Sequence, residues 1–342
     1  MACKFVSRLS AACAFAGAAI FGAAAAAQEV NVYTTREPGL FAPIAQAFTA
    51  RTGVKVNTIF VKDGLAERVA AEGAGSPADL LITVDIGALT ELVDKGLTQP
   101  LATPAVEKVV PANLRAADGA WSALSLRARL VWASRSLPTD GMTYEDLADP
   151  KWKGKLCMRS GQHVYNTALL AAMIAHVGEA KAEEWARGLK ANLARRPGGG
   201  DRDVARDILG GLCDVGLGNS YYVGLMRSGK GGADQKAWGD GVKVLLARFA
   251  DGGVHVNASG VALARNAPHV SDARRLVEFL LSPEGQKIYA EQNFEYPVDP
   301  AATVDPTIAA LGVLKPDRIQ LLDIARHRKA ASQIFDRVGF DR

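Results

Sequence analysis

Two adjacent tyrosines, Tyr221 and Tyr222, are the residues of this sequence best suited to hold a metal ion. Before them, residues 211–217 are predicted to form a short buried strand and residues 218–220 the loop that leaves it. Neighbouring side chains of a regular strand point to opposite faces, so two phenols with one target require irregular backbone. A hard trivalent cation suits two phenolates, since its charge can displace phenolic protons whose ordinary pKa is about 10. The alternative is one tyrosine in the core and one at the surface.

The elements that must position these tyrosines alternate between strands and helices. A strand at 29–33, a helix at 40–52 and a strand at 54–60 make a β–α–β start, which implies a parallel sheet. A second α/β unit begins near Trp152, with helices predicted at 165–176, 181–194 and 201–210. Two α/β lobes joined by crossovers would leave a cleft between them, which is a natural ligand site.

The first 27 residues have the pattern of an export signal. Lys4 and Arg8 form a basic start, an apolar alanine-rich stretch follows, and Ala25 to Ala27 supply a small-residue cleavage site. An uncleaved membrane anchor is the alternative. We predict that residues 1–27 are a cleaved signal peptide and that the mature chain is exported into a bacterial periplasm.

Length and charge bound the remaining chain. About 315 residues exceed what one core usually serves, so two lobes are expected. We place the first lobe at residues 28–125 plus about 255–300, and the second at 126–254 plus about 301–342. The formal charge of +4 falls to +2 without Lys4 and Arg8, which does not indicate a nucleic-acid partner.

Cys157 and Cys213 are the two cysteines that remain after cleavage. In an oxidising compartment they predict one disulfide. Cys157 precedes Tyr165 by the same eight residues that separate Cys213 from Tyr221. Such a bridge would therefore tie together the strands that present the tyrosines. A thiolate metal site is the alternative.

Six short motifs follow one another along nearly all of the mature chain. They are Val-Tyr-Thr-Thr-Arg36, Ser-Pro-Ala-Asp79, Leu-Arg127-Ala-Arg129, Ser-Gly-Gln-His-Val-Tyr165-Asn166, Asn219-Ser-Tyr221-Tyr222 and Asn293-Phe-Glu-Tyr-Pro297. This order resembles the periplasmic ferric-ion-binding proteins, which are receptors of ABC-type iron importers. The resemblance implies a two-lobed type II periplasmic-binding-protein fold, in which each lobe is a mixed sheet flanked by helices.

The resemblance also implies the ligands of the metal. The vicinal tyrosines and an upstream tyrosine supply phenolates to Fe³⁺ in that family, and the matching positions here are Tyr165, Tyr221 and Tyr222. The sequence departs from the family at the first lobe: the stretch Arg36-Glu37-Pro38 lacks the His or Tyr that some members use as a metal ligand, and Val84 stands where others have a glutamate. Members without such a ligand complete the iron sphere with an anion, commonly carbonate.

Charge arithmetic indicates which residues would hold that anion. Fe³⁺ with three phenolates is neutral, so carbonate adds two negative charges that Arg36 and Arg127 can offset as bidentate donors. Thr35 is expected to assist them. The alternative for Arg36 is a solvated turn residue, and Arg129 could equally fill the role of Arg127.

Six further residues are candidates for support around the site: Tyr33, Arg129, Gln162, His163, Asn166 and Asn219. Tyr33 is more simply a core tyrosine, and His163 a histidine of a surface loop.

We therefore predict the solute-binding component of an ABC importer, a monomer that captures ferric iron and delivers it to an inner-membrane permease. Neither a Gly-x-Ser-x-Gly elbow nor a P-loop nor a His-Glu-x-x-His motif is present, so no enzyme is expected. The alternative keeps the fold but changes the cargo to an organic anion or a polyamine, with the tyrosines as stacking walls.

Overall fold

The computed structural model describes Met1 and residues 28–342, so the predicted signal peptide, Met1 apart, lies outside the described residues. The strands are β1 (Glu29–Thr34), β2 (Lys55–Phe60), β3 (Leu80–Thr83), β4 (Thr98–Gln99), β5 (Ser122–Ser134), β6 (Leu156–Cys157), β7 (Val215–Asn219), β8 (Val242–Leu245), β9 (Val256–Ala264) and β10 (Tyr296–Pro297).

The helices lie between and after these strands. They are α1 (Pro38–Thr52), α2 (Leu65–Glu72), α3 (Ile86–Asp94), α4 (Pro104–Val109), α5 (Val164–Val177), α6 (Glu179–Ala191), α7 (Asp201–Leu209), α8 (Ser220–Arg227), α9 (Ala233–Gly241), α10 (Val270–Leu280), α11 (Pro283–Asn293), α12 (Pro306–Ala309), α13 (Leu321–Arg326) and α14 (Arg328–Arg337). Among the described residues, none of these helices is long and apolar enough to cross a membrane.

The strands form a mixed sheet in the order β2-β1-β3-β9-β5-β7-β6, and in addition β8 and β10 pair with the central strand β5 and β4 pairs with β9. The predicted β–α–β start is present, because β1 pairs in parallel with both β2 and β3. All four residues of β3 are buried, as expected for a strand covered on both faces.

The long strand β5 passes from one half of the sheet to the other. Its residues up to Ala128 pair with β9, whereas those from Arg129 onward pair with β7 and β8. We call the half built on β1 to β4, β9 and β10 the first lobe, and the half built on β6 to β8 the second lobe. The lobe boundaries given above remain a prediction, which this change of partners supports.

The carboxyl-terminal helices connect the two lobes. Both α13 and α14 pack on α5 of the second lobe, and α13 also contacts α3 of the first lobe. In the second lobe, a disulfide joins Cys157 at the end of β6 to Cys213 just before β7, with the two Cα atoms 5.9 Å apart.

The local structure at the paired tyrosines differs from the prediction. Gly218 and Asn219 belong to strand β7, and Ser220 begins helix α8, so the predicted loop at 218–220 is wrong. The strand also starts later than predicted, at Val215, because Gly211 adopts a positive φ of 75° in the turn that follows α7. Both tyrosines therefore lie in the first turn of a helix.

Candidate functional site

Three phenols meet where two helices begin. Tyr165 lies in the first turn of α5, and Tyr221 and Tyr222 lie in the first turn of α8. The phenolic oxygens of Tyr165 and Tyr221 are 2.8 Å apart, and the rings of Tyr221 and Tyr222 have centroids 4.2 Å apart. A helical turn, rather than a loop, thus brings the adjacent tyrosines to one location.

Burial raises the pKa of the Tyr221 phenol well above its ordinary value, and the neighbouring phenols of Tyr165 and Tyr222 raise it further. The pKa of Tyr222 is also raised, first by burial and then by Tyr165. Both phenols are therefore protonated near neutral pH until a strong cation displaces their protons.

Arg129 holds the elements that carry the tyrosines. Its Nη1 donates to Asp201 Oδ2 at 2.6 Å and to Asn219 Oδ1 at 3.0 Å, and its Nη2 donates to Asn166 Oδ1 at 2.7 Å. Asp201, which is fully buried, also accepts from the backbone amide of Asn219. One guanidinium thus joins the starts of α5 and α7 to the end of β7.

A second buried cluster surrounds Glu295. Arg36 Nη2 donates to both Glu295 carboxylate oxygens, at 2.9 and 3.1 Å, and also to Ser259 Oγ. Ser125 Oγ donates to the same carboxylate. Arg127 contacts the cluster more loosely, with Nη1 at 3.4 Å from Glu295 and Nη2 at 3.4 Å from Ser259.

The charges of this cluster stabilise one another. Burial acts to raise the pKa of Glu295, but Arg36 and Arg127 hold it below its ordinary value. Burial acts to lower the pKa of Arg36, but the negative charge of Glu295 outweighs this effect, and the pKa of Arg36 is raised. Two guanidiniums share one carboxylate, which leaves this buried cluster with a net positive charge.

Arg127 has donor capacity that the described protein atoms do not use. Its Nε is buried and makes no hydrogen bond to any of the described residues, and its two other contacts are long. It lines a small cavity together with Arg129, Tyr165, Asn219, His255 and Asn257. The cavity is therefore lined both by the Arg127 guanidinium and by Tyr165, a candidate metal ligand.

His163 caps the helix that carries Tyr165. Its Nδ1 accepts from the Tyr165 amide at 3.3 Å, and its ring meets the Tyr165 ring edge-on with centroids 4.4 Å apart. Burial, followed by the nearby Arg159 charge, lowers the pKa of His163 to about 4. The imidazole is therefore neutral at pH 7 and can fix the Tyr165 backbone without adding charge to the site.

The other predicted residues make their hydrogen bonds elsewhere. The Tyr33 hydroxyl donates to Glu72 at 3.0 Å, and the Gln162 amide donates to the Ser332 carbonyl and to Asp336. Thr35 Oγ1 accepts from the Val84 amide, which ties the turn before Arg36 to the end of β3. Tyr33 and Gln162 thus bond away from the tyrosine cluster.

Glu295, Asp201 and Ser259 are among the members of the site that were not predicted from the sequence, as are Ser125 and Arg159. An arginine within a buried strand is almost always paired with an acidic group, so Arg127 and Arg129 indicated that buried carboxylates must lie beside them. Glu295 stands in the motif Asn293-Phe-Glu-Tyr-Pro297, but its partner Arg36 is 259 positions away. Among the described residues, no group of three or more His, Cys, Asp or Glu side chains is placed to hold a metal ion.

The fold and its likeness to solved structures define a class, the two-lobed periplasmic binding proteins, which confirms the predicted fold. Residues 75–316 match the family of bacterial extracellular solute-binding proteins, and the chain belongs to that family. It is 37% identical over 316 residues to iron uptake protein A1 of Synechocystis sp., covering 92% of this chain and 88% of that protein.

Solved structures agree with this membership. The Bordetella ferric binding protein superimposes with a TM-score of 0.89 at 56% identity, covering 92% of this chain and 100% of that one. A Trichodesmium protein in complex with iron and citrate ligands gives a TM-score of 0.86 at 37% identity, covering 91% and 99%. The resemblance to periplasmic ferric-ion-binding proteins is thereby confirmed.

Proposed function

We propose that this chain is the solute-binding component of an ABC-type importer, which captures ferric iron in the periplasm and delivers it to a membrane permease. The observation that carries the proposal is the meeting of Tyr165, Tyr221 and Tyr222 at the starts of two helices. The names of the Synechocystis and Bordetella relatives support iron as the cargo. The role is that of a carrier, with no catalytic step.

In this proposal the three phenols bind iron as phenolates. Three phenolates offset the charge of Fe³⁺, and hard anionic oxygens favour a small trivalent ion over softer or divalent ones. A first-lobe protein ligand is not included. Glu37, one first-lobe candidate in the sequence, is exposed and stands before α1, where its carbonyl accepts from the Leu40 backbone amide.

A doubly charged anion would complete the site. Arg36 and Arg127 share Glu295, and Arg129 and Arg159 share Asp201, so each cluster carries one net positive charge. Carbonate would offset both of these charges. Arg127, with its long contacts and its buried Nε, has the greatest spare capacity to bind it.

Arg36 is the second candidate for the anion. Its Nη2 is engaged with Glu295 and Ser259, so it would have to share those contacts or exchange one of them. Citrate is the alternative anion, since a related protein is known in complex with iron and citrate. The cavity beside Arg127 is about 10 Å³, room for about one water molecule, so either anion requires its walls to move apart, and carbonate, the smaller anion, requires less.

Visible spectroscopy of the iron-stripped mature protein tests the proposal. Ferric iron is added alone, with bicarbonate and with citrate. A tyrosinate-to-iron charge-transfer band that requires bicarbonate supports both the metal and the carbonate. A band that needs no anion would indicate an additional protein ligand. Absence of any band would favour an organic solute as the cargo.

A further inference from the structure

An ion pair outside the tyrosine cluster joins the two lobes. Arg328 Nη1 donates to Asp85 Oδ1 at 2.9 Å. Asp85 stands between β3 and α3 in the first lobe, and Arg328 is the first residue of α14, which packs on α5 of the second lobe. The two side chains are largely buried, with exposures of 11% for Asp85 and 23% for Arg328.

A glycine makes room for this contact. A Cβ atom added to Gly87 would lie 0.8 Å from Arg328 Nη1. Gly87 does not have a positive φ, so its backbone conformation does not require glycine. What the glycine supplies at this position is space for the guanidinium against the first turn of α3.

The pair has opposing electrostatic terms. Arg328 lies at the amino-terminal ends of both α14 and α3, where the partial positive charge of the helices disfavours a cation. The negative charge of the Asp85 carboxylate offsets this cost. Its Oδ1 also accepts from the Gly87 backbone amide at 2.8 Å and the Ala88 backbone amide at 3.2 Å, which holds the carboxylate at the start of α3. A contact of such moderate strength can form and break as the cleft closes and opens.

The segment that carries each partner is bonded to a loop of the candidate site. Val84, next to Asp85, donates to Thr35 in the turn that carries Arg36. On the other side, Gln162 in the loop before Tyr165 donates to the Ser332 carbonyl of α14. The ion pair therefore connects the anion-binding side of the cleft to the tyrosine side.

We propose that Asp85 and Arg328 form a latch between the lobes, which holds the cleft closed and slows the release of the cargo. They act as positioning residues and touch neither the metal nor the anion. The effect on release rests on the proposed function, whereas the effect on lobe closure does not.

Two variants break the latch in different ways. Arg328→Gln removes the charge, whereas Gly87→Ala keeps both charges and blocks the site of the guanidinium. Alanine in a helix is more favourable than glycine by about 1 kcal/mol, so Gly87→Ala should not loosen α3 itself. Arg326→Gln is the matched control, because Arg326 is exposed and pairs with Asp323 on its own helix at 2.8 Å.

Lobe closure is measured on the metal-free mature protein, with spin labels on noncanonical residues that replace the exposed Lys62 and Lys181. Both latch variants should shift the interlobe distances to longer values, and the control should match the unmodified sequence. Unchanged distances in both latch variants would overturn the latch. This readout is valid whatever the cargo.

Release is measured with iron-loaded protein and excess chelator. Both latch variants should lose iron about two- to fivefold faster than the control, the change expected for loss of an ion pair that contributes up to about 1 kcal/mol. The wavelength of the charge-transfer band should not change, because the ligands remain. Equal release rates in all variants would overturn the role in retention.

Discussion

At the scale of single residues, burial and mutual repulsion act in the same direction on the phenols. Burial raises the pKa of Tyr221 and Tyr222, and the neighbouring phenols raise it further. Arg127 opposes this for Tyr221, but does not outweigh it. Each phenol that binds a metal as phenolate must therefore release a proton.

Removal of one phenolic oxygen should disable the site while sparing the fold. We expect Tyr221→Phe and Tyr222→Phe to weaken ferric binding by more than about 100-fold, which exceeds the usual cost of changing an indirect contact. Tyr33→Phe, whose hydroxyl bonds to Glu72, is the control and should bind normally. Chelator competition measures affinity and circular dichroism checks the fold; tight binding by both site variants would contradict the assignment.

Ferric affinity should depend on pH with a definite sign. Because the pKa values of Tyr221 and Tyr222 are raised, binding displaces protons at all pH values below them. Affinity should therefore fall as pH falls, by about tenfold per pH unit for each proton displaced. Competition with a chelator of known pH dependence measures the slope. An affinity that does not change between pH 6 and 8 would show that the phenols do not ionise on binding.

At the scale of elements, the sequence predicted most of what carries the site. Periodic apolar patterns located β1, β2 and α1 to within a few residues. The adjacent pair Tyr221 and Tyr222 stood out by itself, whereas Tyr165 was indicated by the resemblance to the ferric-ion-binding proteins; the structure places it beside Tyr221. The start of α8 was missed because Gly218-Asn219-Ser220 has the composition of a turn. In the structure it is the junction where a buried strand passes directly into a helix.

Long-range partners were beyond the reach of local patterns. The sequence indicated that Arg127 needs a buried partner, but nothing near it in the chain shows that Glu295 fills that role. The same holds for Arg129 and Asp201, which are 72 positions apart. Such pairs depend on how β5 crosses the sheet, which single-sequence periodicity does not determine.

Arg129 should govern both stability and iron binding. Arg129→Met leaves the buried Asp201 with the weaker Arg159 contact at 3.3 Å, so we expect a loss of about 3–5 kcal/mol in the free energy of unfolding. Arg129→Lys keeps a charge and should lose less, yet it cannot hold Asn166 and Asn219 together. Urea unfolding and iron competition measure the two effects.

The control for that change is Arg187→Met, since Arg187 makes an exposed pair with Glu183 and should alter stability by less than about 1 kcal/mol. Iron affinity should fall in both Arg129 variants and stay constant in the control. If Arg129→Lys retained full affinity, the guanidinium would not be needed to align the helices that carry the tyrosines.

At the scale of the whole molecule, β5 links the two halves of the protein. Arg127 lies on β5 beside the point where the pairing partner of that strand changes from β9 to β7. This candidate anion-binding residue therefore lies at the junction of the lobes. Arg36, from the first lobe, is close enough to Tyr221 of the second lobe that the phenol affects its pKa. An anion bound between them would contact both sides of the cleft.

Iron and the anion together should therefore draw the lobes closer than the Asp85–Arg328 latch alone does in the metal-free protein. Small-angle scattering should give a smaller radius of gyration with iron plus bicarbonate than with either alone.

Arg127→Gln removes the donor with the greatest spare capacity, and Glu295 keeps Arg36 as its partner, so the fold should persist. The bicarbonate concentration for half-maximal closure should rise about 10- to 100-fold, the value of a charged hydrogen bond. Arg135→Gln, at an exposed contact with the Asp240 carbonyl, should leave it unchanged. Identical bicarbonate dependence in the two variants would mean that Arg127 does not bind the anion, and would leave Arg36 as the residue through which the anion draws the lobes together.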